Sequence, residues 1–345
     1  MRLRELRLHQ FRSHHDVVFQ FDDDVTAITG PNGGGKTTII EAIYALMIGK
    51  SFRDADDDLI EFDHDWWRIE ADIDGRTREL RYQPSNKGKQ LIIDGVTKGR
   101  FTYRQLLPVV LFEPDQLFLI QGSPGSRRQY VDTILLQLNP AYRDHLSRYE
   151  RALTQRNNVL KRSQSGLDDA LFVWDIALSE HGAAISEARN ILTSELNELL
   201  SDLYSSLAGR TQSLHVGYQT SLQHDSDTRS QLLASLRKNH EKDSLRGFTS
   251  VGPHRDDIVF SLNDKNAQVS ASRGEIRSIV LSLKFAERQL LENHTNIAPI
   301  MLFDDVLSEL DTTRRKFLAR SHKDSQIIYT TTEKIAGSKQ IIKLS

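Results

Sequence analysis

One run of eight residues limits this chain more than any other. Gly30-Pro31-Asn32-Gly33-Gly34-Gly35-Lys36-Thr37 fits the spacing G-x-x-x-x-G-K-[ST]. An apolar, β-rich run from Val25 to Thr29 precedes it, and a strongly apolar helical stretch from Thr37 to Ile48 follows. Strand, glycine turn and helix is the context the pattern requires. Glycines let successive backbone N–H groups converge on a phosphate, and a helix N-terminus adds favourable partial charge. Lys36 is placed to reach the β- and γ-phosphates, the Thr37 hydroxyl to ligate Mg²⁺, and Thr38 to join the nucleotide-binding set. The cofactors expected are ATP and Mg²⁺.

A second acidic motif lies far downstream. Ile300-Met301-Leu302-Phe303 reads as a buried strand that ends in Asp304-Asp305. Charge at the end of a buried strand is costly unless a cation or strong donors meet it. Beside a phosphate loop the natural partner is Mg²⁺, which gives Asp304 the metal-side role with Thr37. Asp305 is placed to orient or activate the attacking water, so Lys36 and Asp305 form the expected catalytic pair. An ordinary turn acid would explain one aspartate, less easily two. Ser308-Glu309-Leu310-Asp311 follows, and reads both as a helix cap, with Ser308 capping and Asp311 at the third position, and as the loop with which ABC ATPases communicate across a dimer.

Between these motifs the periodicity changes. Trp66–Ile73, Arg78–Tyr82 and Gln90–Asp94 alternate between turn-formers, which predicts an antiparallel meander; Leu106 to Phe112 is a further strand. From Ser126 to about Ala208 the period is helical, with Leu146, Tyr149, Leu153 and Leu160 in one stripe. A helix from Pro140 to Arg162 would be roughly 35 Å long, too short for an extended coiled-coil arm. Helix returns at Gly274–Asn293, then strand, helix and strand over Ile300–Phe303, Leu310–Arg320 and Gln326–Thr330. The expected division is a discontinuous P-loop lobe, residues 1–113 and 296–345, and a largely helical lobe, residues 114–295.

Ser270-Ala271-Ser272-Arg273-Gly274-Glu275 opens the later helix and resembles the ABC signature L-S-x-G-Q in Ser272, Gly274 and Glu275, with Ala271 for leucine and Glu275 for glutamine. It reads either as a simple N-cap or as a second anion site presented to the γ-phosphate of an opposite subunit.

Composition narrows the classes. The chain has no cysteine, which excludes disulfides, zinc–thiolate sites and thiol catalysis. No apolar run reaches membrane-spanning length and the N-terminus alternates as a strand does, so a cytoplasmic protein without a membrane partner is expected. Formal net charge is -2, so any DNA binding must come from local basic surfaces.

Taken together the chain resembles the RecF family, recombination-mediator ATPases of bacteria related to the heads of SMC proteins. Four stretches carry the resemblance: Asn32–Thr37 with Glu41-Ala42 and Lys50-Ser51-Phe52-Arg53; Gly122-Ser123-Pro124 with Arg127-Arg128 and Asp132; Ser147-Arg148-Tyr149 with Gln155-Arg156-Asn157; and Val251-Gly252-Pro253-His254-Arg255-Asp256-Asp257. The last is the most diagnostic, since transporter ATPases and SMC heads lack it. The resemblance implies an α/β, ABC-type P-loop ATPase head with a largely helical second lobe, in which two heads sandwich two ATP–Mg²⁺ units. It implies that Arg12, in Gln10-Phe11-Arg12, contacts nucleotide, and that Glu113-Pro114-Asp115-Gln116-Leu117 stands where the family has Pro-Glu-Asp-Leu. Thr330 to Thr332 fall where transporters carry a switch histidine. It implies an ATP-induced homodimer with slow hydrolysis as a switch, DNA bound at gaps or single-strand/double-strand junctions, and work with RecR and RecO in loading recombinase.

Arg127, Arg128, Arg148, Arg151 and Arg162 are candidate phosphate contacts, the last three equally readable as a solvated helix face. His254-Arg255-Asp256-Asp257 reads by chemistry alone as a surface salt-bridge cluster; the resemblance turns it toward a structural or DNA-related role. Three other classes are weaker. A transporter ATPase would need the switch histidine and a membrane partner, and an SMC clamp hundreds of coiled-coil residues. A metabolic P-loop kinase would lack the signature and the Asp-Asp/Ser-Glu-Leu-Asp sequence. An SMC-like structural head or an ABC ATPase acting on a protein partner is the alternative function.

Overall fold

The computed structural model describes residues 1–85, 88–99, 101–161, 167–209, 211–222, 227–306, 310–311, 314, 317–318, 325–332 and 340–344. In chain order the elements are β1 (Leu3–Phe11), β2 (His14–Gln20), β3 (Val25–Thr29), α1 (Lys36–Ile48), β4 (Trp67–Ile73), β5 (Arg76–Gln83), β6 (Gly88–Ile93), β7 (Val96–Gly99) and β8 (Val109–Phe112). Then come α2 (Pro124–Leu138), α3 (Tyr142–Leu160), α4 (Leu167–Ala208), β9 (Leu214–Gln219), α5 (Thr228–Lys238), α6 (His240–Arg246), β10 (Asp257–Leu262), β11 (Lys265–Asn266), α7 (Ala267–Ser270) and α8 (Arg273–Thr295). β12 (Ile300–Phe303), β13 (Ile327–Thr331) and β14 (Gln340–Lys343) close the chain. Packing divides it into two units, Met1–Leu117 with Val280–Ser345, and Phe118–Ile279.

The first unit holds two sheets. One is antiparallel, in the order β2-β1-β4-β5-β6-β7; the other runs β14-β3-β13-β12-β8, with every pair parallel. The continuous apolar runs of β8 and β12, and all five residues of β13, are buried at every position, as a sheet covered on both faces requires. The helix α1 is apolar on nearly all sides and touches β8 and β13 of one sheet and β1 and β5 of the other. A helix of that pattern belongs inside a core. The buried amide of Gln326 ties the layers: Leu3 N–H donates to its Oε1 at 2.8 Å, and its Nε2 donates to the Leu3 and Asp22 carbonyls at 2.7 and 2.9 Å. The meander runs as expected from Trp67, with one additional strand. β7 is exposed throughout, so no burial pattern marks it in the sequence.

In the second unit α4, 42 residues long, packs on α3, α5 and β9. Helix is not its whole content, because β11-β10-β9 form a three-stranded antiparallel sheet. Leu214 and Val216 alternate inward on β9, and Ile258, Phe260 and Leu262 on β10. The unit boundary also differs from the expected 295/296 and falls within α8. Val280, Leu281, Leu283, Phe285, Ala286 and Leu291 of α8 are buried, and this half of the helix belongs to the first unit. Ser308, Glu309 and most of the helix expected over Leu310–Arg320 lie outside the described residues. Asp311 accepts from Arg314 N–H at 2.9 Å. Among the described residues no helix is long and apolar enough to cross a membrane.

Candidate nucleotide site

The glycine loop joins the end of β3, a central strand, to the start of α1. Gly33 and Gly35 take φ of 80° and 81°, where a side chain would strain the backbone. At Gly35 a Cβ would also come within 2.7 Å of the His14 ring. His14 Nε2 lies 3.3 Å from the Gly35 carbonyl, and burial, the larger influence, lowers the imidazole pKa. The turn between β1 and β2 is therefore pressed against the loop. Lys36 is buried, and its Nζ donates to the carbonyls of Gly30 and Pro31 at 2.9 and 2.8 Å, which places the ammonium across the loop.

β12 delivers Asp304 to the same end of the sheet. Its N–H donates to the Phe112 carbonyl at the end of β8, at 2.9 Å. Its Oδ1 accepts from the Thr37 hydroxyl at 3.0 Å and from the Thr330 hydroxyl of β13 at 2.8 Å. Thr330 also accepts from Asp305 N–H at 2.8 Å, and Asp305 holds φ of 50°. The structure thus joins Lys36, Thr37, Asp304 and Asp305 around one strand end. Thr330, read in the sequence only as the place where a switch histidine is missing, positions both aspartates. A hydroxyl and a carboxylate that already meet form an all-oxygen donor set, which suits Mg²⁺.

Glu113 opens the stretch that the resemblance sets against the family's Pro-Glu-Asp-Leu. It follows β8 directly, and its pKa is pushed up to about 7, first by burial and next by the charge of Asp304. The signal was available as a carboxylate placed immediately after an apolar strand, the arrangement already recognised at Asp304.

Arg12 lies in the turn after β1 with φ of 52°. Its guanidinium forms a fork on the fully buried Glu41 of α1 at 2.5 and 2.7 Å and also pairs with Asp54. Glu41 accepts in addition from Ser51 Oγ at 2.5 Å, and Ser51 Oγ accepts from Arg53 and Asp54 N–H. The Arg12 pKa is raised, foremost by the Glu41 bond. Glu41 and the Lys50–Arg53 stretch therefore serve to hold Arg12 beside α1. Thr38 is buried in the first turn of that helix.

In the second unit Ser272 stands at the mouth of α8. Its Oγ accepts from Glu275 N–H at 3.3 Å, while Glu275 Oε2 accepts from Ser272 N–H and Oγ, both at 2.8 Å. This is a capping box. Ser272 is exposed, with Gly274 half-buried behind it.

The remaining family segments form a hydrogen-bonded knot inside that unit. Tyr149 OH and His254 Nδ1 are 2.7 Å apart, and His254 Nε2 lies 3.1 Å from the Thr249 carbonyl. Burial lowers the His254 pKa to about 4, which keeps the ring neutral, so the reading as a surface salt-bridge cluster is corrected. Arg156, fully buried, bonds Asp175, Asp243 and Thr249 at 2.6, 2.8 and 2.9 Å. Arg127 is corrected likewise: it is 3% exposed, forks onto Asp257 and donates to the carbonyls of Ile120 and Gly122. Half-buried Arg128 donates to the Asp256 carbonyl at 2.7 Å. Arg148 and Arg151 are exposed on α3, and Arg162 lies outside the described residues.

Comparison with known proteins covers nearly the whole chain. Residues 2–343 match the model of the RecF/RecN/SMC N-terminal domain. A curated relative from Streptococcus pyogenes serotype M49 (strain NZ131), the DNA replication and repair protein RecF, is 37% identical over 99% of this chain and 94% of its own. The solved structure of the recombination mediator protein RecF-ATPrS in the RecFOR pathway superposes with a TM-score of 0.90 at 28% identity, covering 99% of this chain and 96% of that one. An Smc head domain with a coiled coil and joint from Pyrococcus yayanosii shares the fold at a TM-score of 0.55 and 15% identity, over 99% and 94% of the two chains. With a likeness that runs from end to end and a P-loop facing Asp304, the chain belongs to the RecF family.

Proposed function

We propose that this chain is an ATP-dependent DNA-binding protein of DNA replication and recombinational repair, switched by slow ATP hydrolysis. The observation that carries the reading is the meeting of Thr37, Asp304 and Thr330 beside Lys36. The β- and γ-phosphates of ATP would lie along the loop amides and Lys36. Mg²⁺ would be held by Thr37 and Asp304 and would neutralise phosphate charge. Asp305 would orient the water, and the Ser272 loop of a second copy would close the site over the γ-phosphate. Relatives named for DNA replication and repair, and for the RecFOR pathway, support DNA as the substrate and RecR and RecO as partners. Gapped or junction DNA is the preferred form in this reading. With Arg127 committed to Asp257, the phosphate contacts fall to exposed groups such as Arg148 and Arg151.

Two measurements test it. Ser272→Arg should bind ATP as a monomer yet fail to dimerise with ATP; dimerisation like that of wild type removes the signature role. A salt series on gapped duplex should show tighter binding with ATP than with ADP or no nucleotide. Each phosphate neutralised should contribute about -0.9 to the log–log slope. Equal affinity in all three states would sink the ATP gate, and no binding in any state would favour a protein partner.

A further inference from the structure

Three side chains that the nucleotide chemistry does not use converge on the rim of the first unit. His15 comes from β2, and Glu61 and His64 from the segment before β4. Their ligand atoms all lie within 4.8 Å of one another. His15 Nδ1 is 2.8 Å from Glu61 Oε2, His64 Nδ1 is 3.5 Å from the same oxygen, and the two imidazole centroids are 5.3 Å apart. The backbone holds this arrangement. Arg12 N–H donates to the Leu59 carbonyl at 2.8 Å, Glu61 N–H to Gln10 at 2.9 Å, and His64 N–H to Glu61 at 3.1 Å, with Asp63 at φ 65° turning the chain between the two ligands. Solvent reaches all three, with side-chain exposures of 67%, 20% and 29% for His15, Glu61 and His64.

We propose that His15, Glu61 and His64 form a binding site for a borderline divalent transition ion, with zinc the fitting member and solvent completing its coordination. Two imidazoles and one carboxylate are a zinc donor set, whereas the all-oxygen set of Thr37 and Asp304 favours magnesium. With zinc–ligand bonds of about 2.0–2.2 Å, tetrahedral ligand atoms sit roughly 3.4 Å apart. The observed separations of 2.8 and 3.5 Å lie close to that, and an ion would draw His64 Nδ1 away from the Phe62 carbonyl, 3.1 Å from it. A bound ion would fasten the 60–66 segment to the β1–β2 hairpin. The turn of that hairpin carries Arg12 and sets His14 against the Gly35 carbonyl. The site does not depend on the nucleotide reading.

The experiment is a zinc titration of the full, tag-free, metal-stripped chain against a chromophoric chelator at neutral pH, with magnesium in excess to occupy the oxygen site. One zinc per chain is expected. His15→Ala and His64→Ala should each lower zinc affinity by more than the roughly 10–100-fold that loss of an outer-shell partner costs. Zinc should also raise the melting temperature of wild type and not of either variant. His145→Ala, which removes half of the 3.1 Å His145–His181 pair of the second unit, should leave the titration unchanged. No stoichiometric zinc on wild type, full affinity in both ligand variants, or loss of zinc in His145→Ala would each overturn the assignment.

Discussion

Two helices in this molecule begin at residues assigned to phosphate chemistry, and they begin in opposite ways. α1 starts after Gly35, in a left-handed conformation with no side-chain cap, so its first backbone donors are left to whatever the loop binds. α8 starts after Ser272 with its own carboxylate folded back, Glu275 accepting from both the N–H and the hydroxyl of Ser272. The first terminus is left uncapped, as the proposed anion cradle requires. The second is closed on itself, and Ser272 can turn to a phosphate only if Glu275 releases it. In the proposed dimer, α1 supplies standing affinity while α8 supplies a contact that must be won from an internal bond.

The comparison can be broken most sharply at Lys36. Lys36→Ala removes a charge-assisted donor worth roughly 1.5–3 kcal/mol, so ATP affinity should fall by about one to two orders of magnitude. Unchanged affinity in a calorimetric titration of the folded variant would end the account of the cradle. Next comes Gly35→Ala, which forces a side chain into φ of 81° and against the His14 ring. Strain of about 1–3 kcal/mol should appear as a lower melting temperature, and His14→Ala should relieve only the steric part. An unaltered melting curve would mean that the loop adapts freely.

At the other helix the effect is smaller. Ser272→Ala should cost about 1 kcal/mol of stability through loss of the cap, with ATP binding by the monomer unchanged. Glu275→Gln keeps a capping side chain but weakens its hold on Ser272, and ATP should dimerise this variant at lower protein concentration. If sizing in ATP shows no gain, the closed cap is not what limits engagement.

The smallest change concerns Glu113, whose exposed side is screened by water. Its folded pKa is raised from 4.5 to about 7, so the native state holds a proton that the unfolded chain has released. Stability from this group is present at low pH and declines as pH rises from about 4.5 to about 7. Glu113→Gln should flatten that part of the melting-temperature profile; the same slope in both proteins would place the charge elsewhere.

Much of the α1 region was legible because its information is local. Glycine spacing, a preceding β-rich run and an apolar helix lie within adjacent residues, and they specify the loop without help from the rest of the chain. Asp304 was legible for a similar reason, as a carboxylate at the end of an apolar strand. Thr330 was not, because a threonine ending a strand carries no signal until parallel pairing of β12 with β13 sets it against Asp304. Glu113 likewise gains its character from burial beside Asp304.

Basic residues show the limit most plainly. In sequence, Arg127, Arg148 and Arg156 all stand in helical stretches rich in charge, and nothing local says which of them is buried. Folding leaves Arg148 in water, buries Arg156 among Asp175, Asp243 and Thr249, and locks Arg127 onto Asp257, 130 residues away. The sequence by itself determined the phosphate loop, the acidic strand end and the alternation of sheet and helix, since each depends on neighbours along the chain. Only the tertiary structure decided which charges are spent inside the protein and which face solvent. Desolvating a guanidinium is tolerated where distant carboxylates are brought to meet Arg127 and Arg156, or carbonyls to meet Arg78, and that meeting is a property of the fold.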